Sequence, residues 1–343
     1  MQQRFNGLLW RGRTAEKRER CIFVAPRRGV LVSIPDSGRE GGDGRSAGGG
    51  RISGCMERLL WRCLVAAALV CVLGTGAAGA KTVRVMSFNL RYDLESDSIN
   101  KWSNRADDVH AFIERLAPDV VGMQEVLPNQ MEYLRDSLED YDCYSVPRED
   151  GKEEGQAASI FFRKERFTAV NKGTFWLSPT PDVPSAGWDA RNTRLCSWVL
   201  LQDTKTNRIF LFANTHFDHL GKDARRESAM LIKEKLAAIA NNCPIILAGD
   251  FNCTDDSEPY RILCSRVFRL EDAHKTARKV TGQRSTLNAW GTVDDAEERK
   301  IDFIFATPGV EVKRSHIYNA LIGEGRYLSD HNPYYVDLDD ELL

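Results

Sequence analysis

The sequence has almost no net charge and no long apolar run. Across 343 residues, 47 Lys and Arg nearly balance 49 Asp and Glu, leaving −2, so no chain-wide basic surface is available to grip duplex nucleic acid. The longest apolar stretch, residues 63–73, is too short to span a bilayer comfortably. With 42% hydrophobic and 28% charged residues, a multispan membrane protein, a disordered chain and a collagen-like chain are excluded. Cysteine is limited to 9 positions with no zinc spacing. Cys143, Cys196, Cys243, Cys253 and Cys264 read as thiols acting as small hydrophobes.

What is present is unevenly spread. Residues 1–80 carry 13 Lys and Arg against 6 Asp and Glu, and residues 81–343 carry 34 against 43, charges of +7 and −9. An acidic body repels polyphosphate at long range, so a phosphate-binding site here needs help from a metal.

Residues 1–55 show no hydrophobic period and end in a Gly/Arg/Ser stretch. They read as a disordered segment or as an extension upstream of the true start at Met56, the alternative being a genuine basic tail. From Met56, the basic Arg58 and Arg62, the apolar run and Ala78-Gly79-Ala80 form the parts of a secretory signal peptide over 56–80. Val70 before Cys71 argues against a lipid-modified cysteine, so no stable membrane anchor and a secreted or periplasmic location are expected. No protein partner is implied.

From Lys81 onward strand and helix patterns alternate, without a linker or an internal repeat, and residues 81–343 read as one domain. Strands are expected at Thr82–Phe88, Asp119–Gln124, Ser159–Arg163, Ser197–Leu201, Ile209–Asn214, Pro244–Ala248, Ile301–Ala306, Val310–Ile317 and Tyr334–Val336. Helical spacing marks Ala106 to Leu116 behind a cap at Ser103, then Asn129–Leu138 and Lys222–Asn241. Many short strands with few helices suggest an α/β (α+β type) fold with two sheets flanked by helices.

Five segments put carboxylates, amides or imidazoles just after apolar strands, where strand ends converge on a cleft: Ser87-Phe88-Asn89, Gln124-Glu125, Asn214 to Asp218, Gly249-Asp250-Phe251-Asn252, and Ser329-Asp330-His331-Asn332. Asp302 adds a carboxylate at the start of a strand. Singly, Asp250 and Asn252 read as turn formers and Asp330-His331 as a surface pair. Glu125 is less easily explained, because a carboxylate ending an apolar strand is costly to bury without a cation or donor. Together the Glu and Asp oxygens and Asn amides suit a hard divalent cation, Mg2+ (or Mn2+). Hydrolysis of a phosphoester needs an activated water, a metal for the developing charge and a donor on a nonbridging oxygen.

These ordered motifs, from Asn89 to His331, resemble the endonuclease/exonuclease/phosphatase superfamily. The resemblance implies a four-layer sandwich of two mixed β-sheets flanked by helices, and a metal-dependent phosphoester hydrolase. It implies Asn89 and Glu125 as a metal-binding pair with Asp330 serving the metal cluster or its waters. It further implies Asp250 as the residue activating water, Asn252 and His216 on the phosphate, and His331 on the phosphate with Asp302 holding its ring.

Substrate is set by loops, not by fold. Trp176 and Trp188, on a Pro-stiffened loop, suit stacking on a base or sugar, or packing of the loop onto the domain. Arg194 and Arg226 suit phosphate, or pairing with surface acids. Asp218 is either part of the site or a solvated loop residue. The segment from Phe175 to Trp198 is similar to a bacterial branch of the superfamily related to deadenylase-like nucleases. A nuclease, of the 3'-5' RNA exonuclease kind, is therefore the first expectation. A phosphatase or phosphodiesterase for small or lipid-linked phosphates, such as inositol phosphates or sphingomyelin, and a non-catalytic binding protein are the alternatives.

Overall fold

The computed structural model of the protein describes residues 82–341 and 343; the extension expected over 1–55 and the leader expected over 56–80 lie outside the described residues. The chain first lays down β1 (Thr82–Asn89), α1 (Trp102–Leu116), β2 (Val120–Val126), α2 (Pro128–Ser137), β3 (Tyr141–Tyr144) and β4 (Ala157–Arg163). Next come β5 (Phe167–Trp176), β6 (Leu195–Asp203), β7 (Ile209–His216), α3 (Lys222–Ala240), β8 (Ile245–Asp250) and α4 (Glu258–Leu263). The remainder is β9 (Glu271–Asp272), α5 (Ala273–Thr276), β10 (Val280–Gly282), β11 (Asp302–Ala306), β12 (Val312–Ile317), the small hairpin β13 (Leu321–Gly323) and β14 (Arg326–Tyr327), and β15 (Tyr334–Asp339). Among the described residues no helix is long and apolar enough to cross a membrane.

Seven strands form one sheet in the order β10-β12-β15-β1-β2-β4-β3, and six form another in the order β5-β6-β7-β8-β11-β9. Both are mixed. β1 and β2 run parallel with α1 as their crossover, β7 and β8 run parallel with α3 as theirs, and most other neighbours are antiparallel. The two-residue period of a strand divides the apolar side chains between layers. Val83 and Val85 of β1 join Phe210 and Phe212 of β7 and Ile246 of β8 between the sheets. Met86 and Phe88 face α1 and α2, while Leu211 and Leu247 face α3 and α4. The result is the four-layer sandwich.

The same alternation delivers chemistry to one end. The inward rows read Val83-Val85-Ser87-Asn89 on β1, Phe210-Phe212-Asn214-His216 on β7, and Ile246-Ala248-Asp250 on β8. Each row is apolar at its start and polar at its end. At the changeover Asn214 bridges the sheets: its Oδ1 accepts from Gln124 Nε2 at 2.7 Å, and its Nδ2 donates to the carbonyls of Met123 (2.9 Å) and Ser159 (2.8 Å). Gly122 leaves room for this amide, since a Cβ there would lie 2.8 Å from it.

Local differences from the sequence reading have physical causes. α1 begins at Trp102, so Ser103 lies inside the helix and caps nothing; Lys101 holds the cap position without a side-chain bond. The helix stops where Ala117 turns left-handed (φ 50°) and Pro118 blocks continuation. β5 is absent from the expected strands because much of it is solvated: Phe167, Phe175 and Trp176 are buried while its middle, Val170 to Lys172, is exposed. It forms the edge of its sheet, where alternation of hydrophobicity is not required.

Candidate active site

Asn89, Glu125, His216 and Asp250 sit at the C-terminal ends of β1, β2, β7 and β8. β11 is antiparallel to β8, and Asp302 at its start pairs in register with Asp250. β15 is antiparallel to β1, so Asp330 and His331 just before it arrive at the same rim. Glu125 needs one further device, because strict alternation would point it at the helices, away from Gln124. A register shift between Met123 and Val126 and a left-handed backbone at Glu125 (φ 64°) turn its carboxylate into the site. There it accepts from Tyr92 N at 3.1 Å and from Asn89 Nδ2 at 3.4 Å.

Asp250 is the point of convergence. Its Oδ2 receives Asn89 Nδ2 at 3.0 Å and lies 3.4 Å from His216 Nε2 and 3.8 Å from His331 Nε2. Its Oδ1 accepts from Asn252 N at 2.9 Å. Burial and the neighbouring Asp302 push its carboxyl well above the usual carboxylate range, against the pull of His331. Asp330 is raised as well, by burial opposed by His331 and reinforced by Glu125.

The two imidazoles beside Asp250 are driven apart. His331 Nδ1 donates to Asp302 Oδ2 at 2.8 Å. Burial opposes its charge, yet Asp302, Asp250 and Asp330 hold its pKa well above the ordinary histidine value. His216 sits 3.0 Å from Asn252 Nδ2, whose other bond goes to the Phe217 carbonyl. An amide donor makes Nε2 an acceptor, and the ring is neutral to match: burial and then Arg194 and Arg148 push its pKa well below ordinary. One charged and one neutral ring thus flank a carboxylate, the arrangement that separates proton donor from acceptor.

These groups open on a cavity of about 530 Å³ whose rim includes Arg91, Arg148, Gln156, Asn192, Arg194 and His219. Asp250, Asp302 and His331 offer atoms all within 4.8 Å of one another, and Glu125 and Asp330 bring two more carboxylates to the cavity. Of these carboxyls, Asp250 and Asp330 are held above the usual carboxylate range by burial, with Asp302 adding to the first and Glu125 to the second, despite the nearby His331. A hard divalent cation with oxygen ligands fits that set.

Other residues expected at the site are placed elsewhere. Trp176 is buried and reaches the site only through backbone: its Nε1 donates to the Arg148 carbonyl at 2.8 Å, and its ring packs against Gly151, whose φ of 72° brings the loop close. It packs a loop and does not offer a stacking face. Trp188, with φ 56°, is exposed and outside the cavity lining. Arg226 pairs with Asp223 and Glu227 on the surface of α3, away from the cavity. Asp218 is buried and not solvated. Burial opposes its charge, but N–H donors from Gly221, Asn192 and Leu220 bring its pKa down to about 2. It orders the loop beside Arg194, 3.6 Å away.

Sequence reasoning missed Arg148, Gln156 and Asn192, although Asn192 lies in the Phe175 to Trp198 segment it singled out; a loop residue has no periodicity to betray its direction. It also missed Arg105, which is buried on α1 and donates to the carbonyls of Leu90 (2.6 Å), Arg91 (2.7 Å), Asn100 (2.8 Å) and Leu328 (2.9 Å). Burial lowers its pKa to about 10, so it stays charged at neutral pH. It ties the turn after Asn89 to the segment before Asp330. Arg105→Met should cost roughly 3 kcal/mol, because several buried carbonyls lose their donor. Chemical denaturation checks this, and a loss below about 1 kcal/mol would show that water replaces the guanidinium.

A rim of acids, amides and imidazoles at one end of a four-layer sandwich defines a phosphoesterase-type site. The profile of the Endonuclease/Exonuclease/phosphatase family matches residues 86–331, and the chain belongs to that family, whose members are phosphoester hydrolases. A solved endonuclease/exonuclease/phosphatase from Bacteroides vulgatus is 44% identical with a TM-score of 0.73, covering 75% of this chain and 98% of that one. A mannosyl-6-phosphatase from Bacteroides thetaiotaomicron VPI-5482 is 36% identical, TM-score 0.70, covering 75% and 99%. Human tyrosyl-DNA phosphodiesterase 2 is 23% identical over 167 residues, 48% of this chain and 42% of that protein.

Proposed function

We propose that the protein is a divalent-metal-dependent hydrolase of small phosphorylated substrates, Asp250 activating the attacking water. The observation that carries this is the meeting of Asp250, His216 and His331 on the wall of a cavity of about 530 Å³, a small-molecule volume. The likeness to a mannosyl-6-phosphatase at 36% identity supports a compact, hydroxylated substrate.

Glu125 and Asp330 would hold the cation, with the Asn89 amide beside Glu125, because His331 Nδ1 is already committed to Asp302. When bound, Mg2+ or Mn2+ supplies charge stabilisation on the phosphoryl oxygens and lowers the pKa of water. Asp250 takes the proton of the water, whose oxygen forms the new P–O bond. His331, held charged by Asp302, donates to a nonbridging oxygen and stabilises the negative charge gathering there. Asn252 orients His216, spending its two amide hydrogens on His216 Nε2 and the Phe217 carbonyl. The P–O bond to the alcohol breaks, the departing alkoxide takes a proton from solvent water, and Asp250 returns to solvent the proton it accepted.

Polynucleotide cleavage is the second reading, favoured by the match to a tyrosyl-DNA phosphodiesterase. The leader pattern over 56–80 supports export of the mature chain. The test is hydrolysis by the purified protein of hexose phosphates, inositol phosphates, sphingomyelin, single-stranded RNA and duplex DNA, with Mg2+, Mn2+ or EDTA. Turnover of hexose phosphates with Mg2+ or Mn2+, abolished by EDTA and restored by adding back the metal, is the expected outcome. Shortening of RNA or DNA without release from small phosphates would overturn it in favour of a nuclease.

A further inference from the structure

Arg194 is 5% exposed, and among the described residues its Nε and Nη1 have no hydrogen-bond partner. Asp218, 3.6 Å from Nε, is beyond hydrogen-bond range, and the remaining contact is Nη2 to His219 Nδ1 at 3.4 Å. A buried guanidinium with two idle nitrogens is expensive, and an acceptor must repay it when the site is filled. Burial lowers its pKa, with Arg148 second among the causes, so the two cations are close enough to repel.

Arg148 is held in place rather than swinging free. Its Nη1 donates to Gln156 Oε1 at 2.7 Å and its Nε to Glu149 at 2.9 Å. Its loop is closed by Asp150 Oδ1, which accepts the N–H groups of Lys152, Glu153 and Glu154, and is latched by the Trp176 indole on the Arg148 carbonyl. Of the rim carboxylates, Asp330 has Arg91 3.7 Å away, whereas Glu125 and Asp250 act on Arg194 through space without a hydrogen bond to it.

Arg148 and Arg194 also form the walls of a side recess that adjoins Glu125 and His216 and is backed by Ala158 and Leu195. Its space, about 10 Å³, takes one water at most. A phosphoryl group lying against Glu125 and His216 with its oxygens toward this recess meets two guanidiniums, and the recess itself has room for an oxygen but not for an ester substituent.

We propose that Arg148 and Arg194 form a clamp for a terminal, dianionic phosphate, so that the substrate class is a phosphomonoester and not a phosphodiester. This rests on the hydrolase reading above. Water adds to phosphorus, the single P–O(alkyl) bond breaks, and inorganic phosphate and the alcohol are released. Guanidinium pairs suit the terminal phosphate because their planar donors match its oxygens and its second negative charge is present near neutral pH.

The test compares the wild-type protein with Arg148→Ala, Arg148→Lys and Arg194→Lys, the lysines covering the case in which removal of a buried arginine impairs folding. Two readouts are taken: the ratio of kcat/KM for 4-nitrophenyl phosphate to that for bis(4-nitrophenyl) phosphate, and the rise in melting temperature with added inorganic phosphate. The expected result is a wild-type ratio above about 100 that falls at least 10-fold in the folded variants, with the phosphate-induced rise reduced in parallel. A wild type that prefers the diester, or variants that keep both the ratio and the phosphate response, would overturn the clamp while leaving metal-dependent hydrolysis intact. If neither ester turns over, the hydrolase reading fails, and an unchanged phosphate response in the variants would then remove the clamp as well.

Discussion

Asp250→Asn is expected to lower kcat by about 10³-fold or more while the protein stays folded. The effect is large because the carboxylate is the one group touched from every side of the site: Asn89 at 3.0 Å, His216 at 3.4 Å and His331 at 3.8 Å all address its Oδ2. Asparagine keeps the volume and the acceptor for Asn252 N, but cannot take a proton from water. Stability should not suffer, since the substitution removes a buried charge that burial and Asp302 already disfavour. The pH profile supplies a second readout. With its pKa raised, Asp250 is the wild-type group whose deprotonation lifts kcat/KM as pH rises, and that limb should vanish in the variant. Steady-state kinetics on the substrate found in the panel, with a thermal melt for folding, checks both. A kcat within 10-fold of wild type would remove Asp250 from the role of base.

Much of this site was legible because strands write their direction into sequence. Once Val83, Val85, Phe210, Phe212, Ile246 and Ala248 are read as inward, the period of two carries Asn89, His216 and Asp250 to the same end of the same space. Asp302 and His331 were legible as residues beside strands, and their 2.8 Å contact follows from antiparallel pairing at both sheets. Glu125 breaks the period, and only a bulge brings it in; its oddity as a charged residue ending an apolar strand was the visible trace. The rest was hidden for definable reasons. Arg105 acts on four carbonyls, and backbone partners leave no mark in a sequence. Trp176 could be read as a ligand platform or as loop packing because tryptophan serves both, and only the direction of its indole N–H, toward the Arg148 carbonyl, decides between them. Arg194 and Arg226 looked equivalent by composition. One has two unsatisfied nitrogens in a recess, the other two carboxylates on a helix surface.

Charge is sorted within the cavity as a consequence. Asp330 lies beside Arg91, while the guanidiniums of Arg148 and Arg194 share a recess with His216 and Glu125. This sorting explains how two histidines on either side of one aspartate reach opposite protonation states: His216 faces arginines, His331 faces Asp302, Asp250 and Asp330. An acidic body can therefore hold an anionic substrate without a basic surface.

Asp302→Asn tests that sorting and should lower kcat by about 10²- to 10⁴-fold near pH 7, the range seen when the orienting carboxylate of a catalytic histidine is neutralised. Asp302 contacts His331 Nδ1 through Oδ2, its Oδ1 has no hydrogen-bond partner, and its backbone N–H is held by Thr286 Oγ1 at 3.0 Å. Asparagine leaves the backbone in place but removes the negative charge that does most to keep the ring protonated, so burial prevails and the pKa of His331 falls. The sign is then fixed. A raised histidine contributes stability that is present below its unfolded value of about 6.5 and is lost as pH rises through its folded value. In the variant the folded value is lower, so turnover carried by the protonated ring should survive only at more acid pH, and the alkaline limb of the kcat profile should shift downward. Ring chemical shifts of His331 across the same pH range report the protonation state directly, without turnover. Because Asp250 and the His331–Asp302 pair serve the same chemical step, one by taking the water's proton and the other by stabilising the charge that forms, the Asp250→Asn/Asp302→Asn double variant should cost little more than Asp250→Asn alone. If the two losses multiply instead, Asp302 acts on a step separate from the one Asp250 serves, and His331 is to be assigned to binding the phosphate before the chemical step.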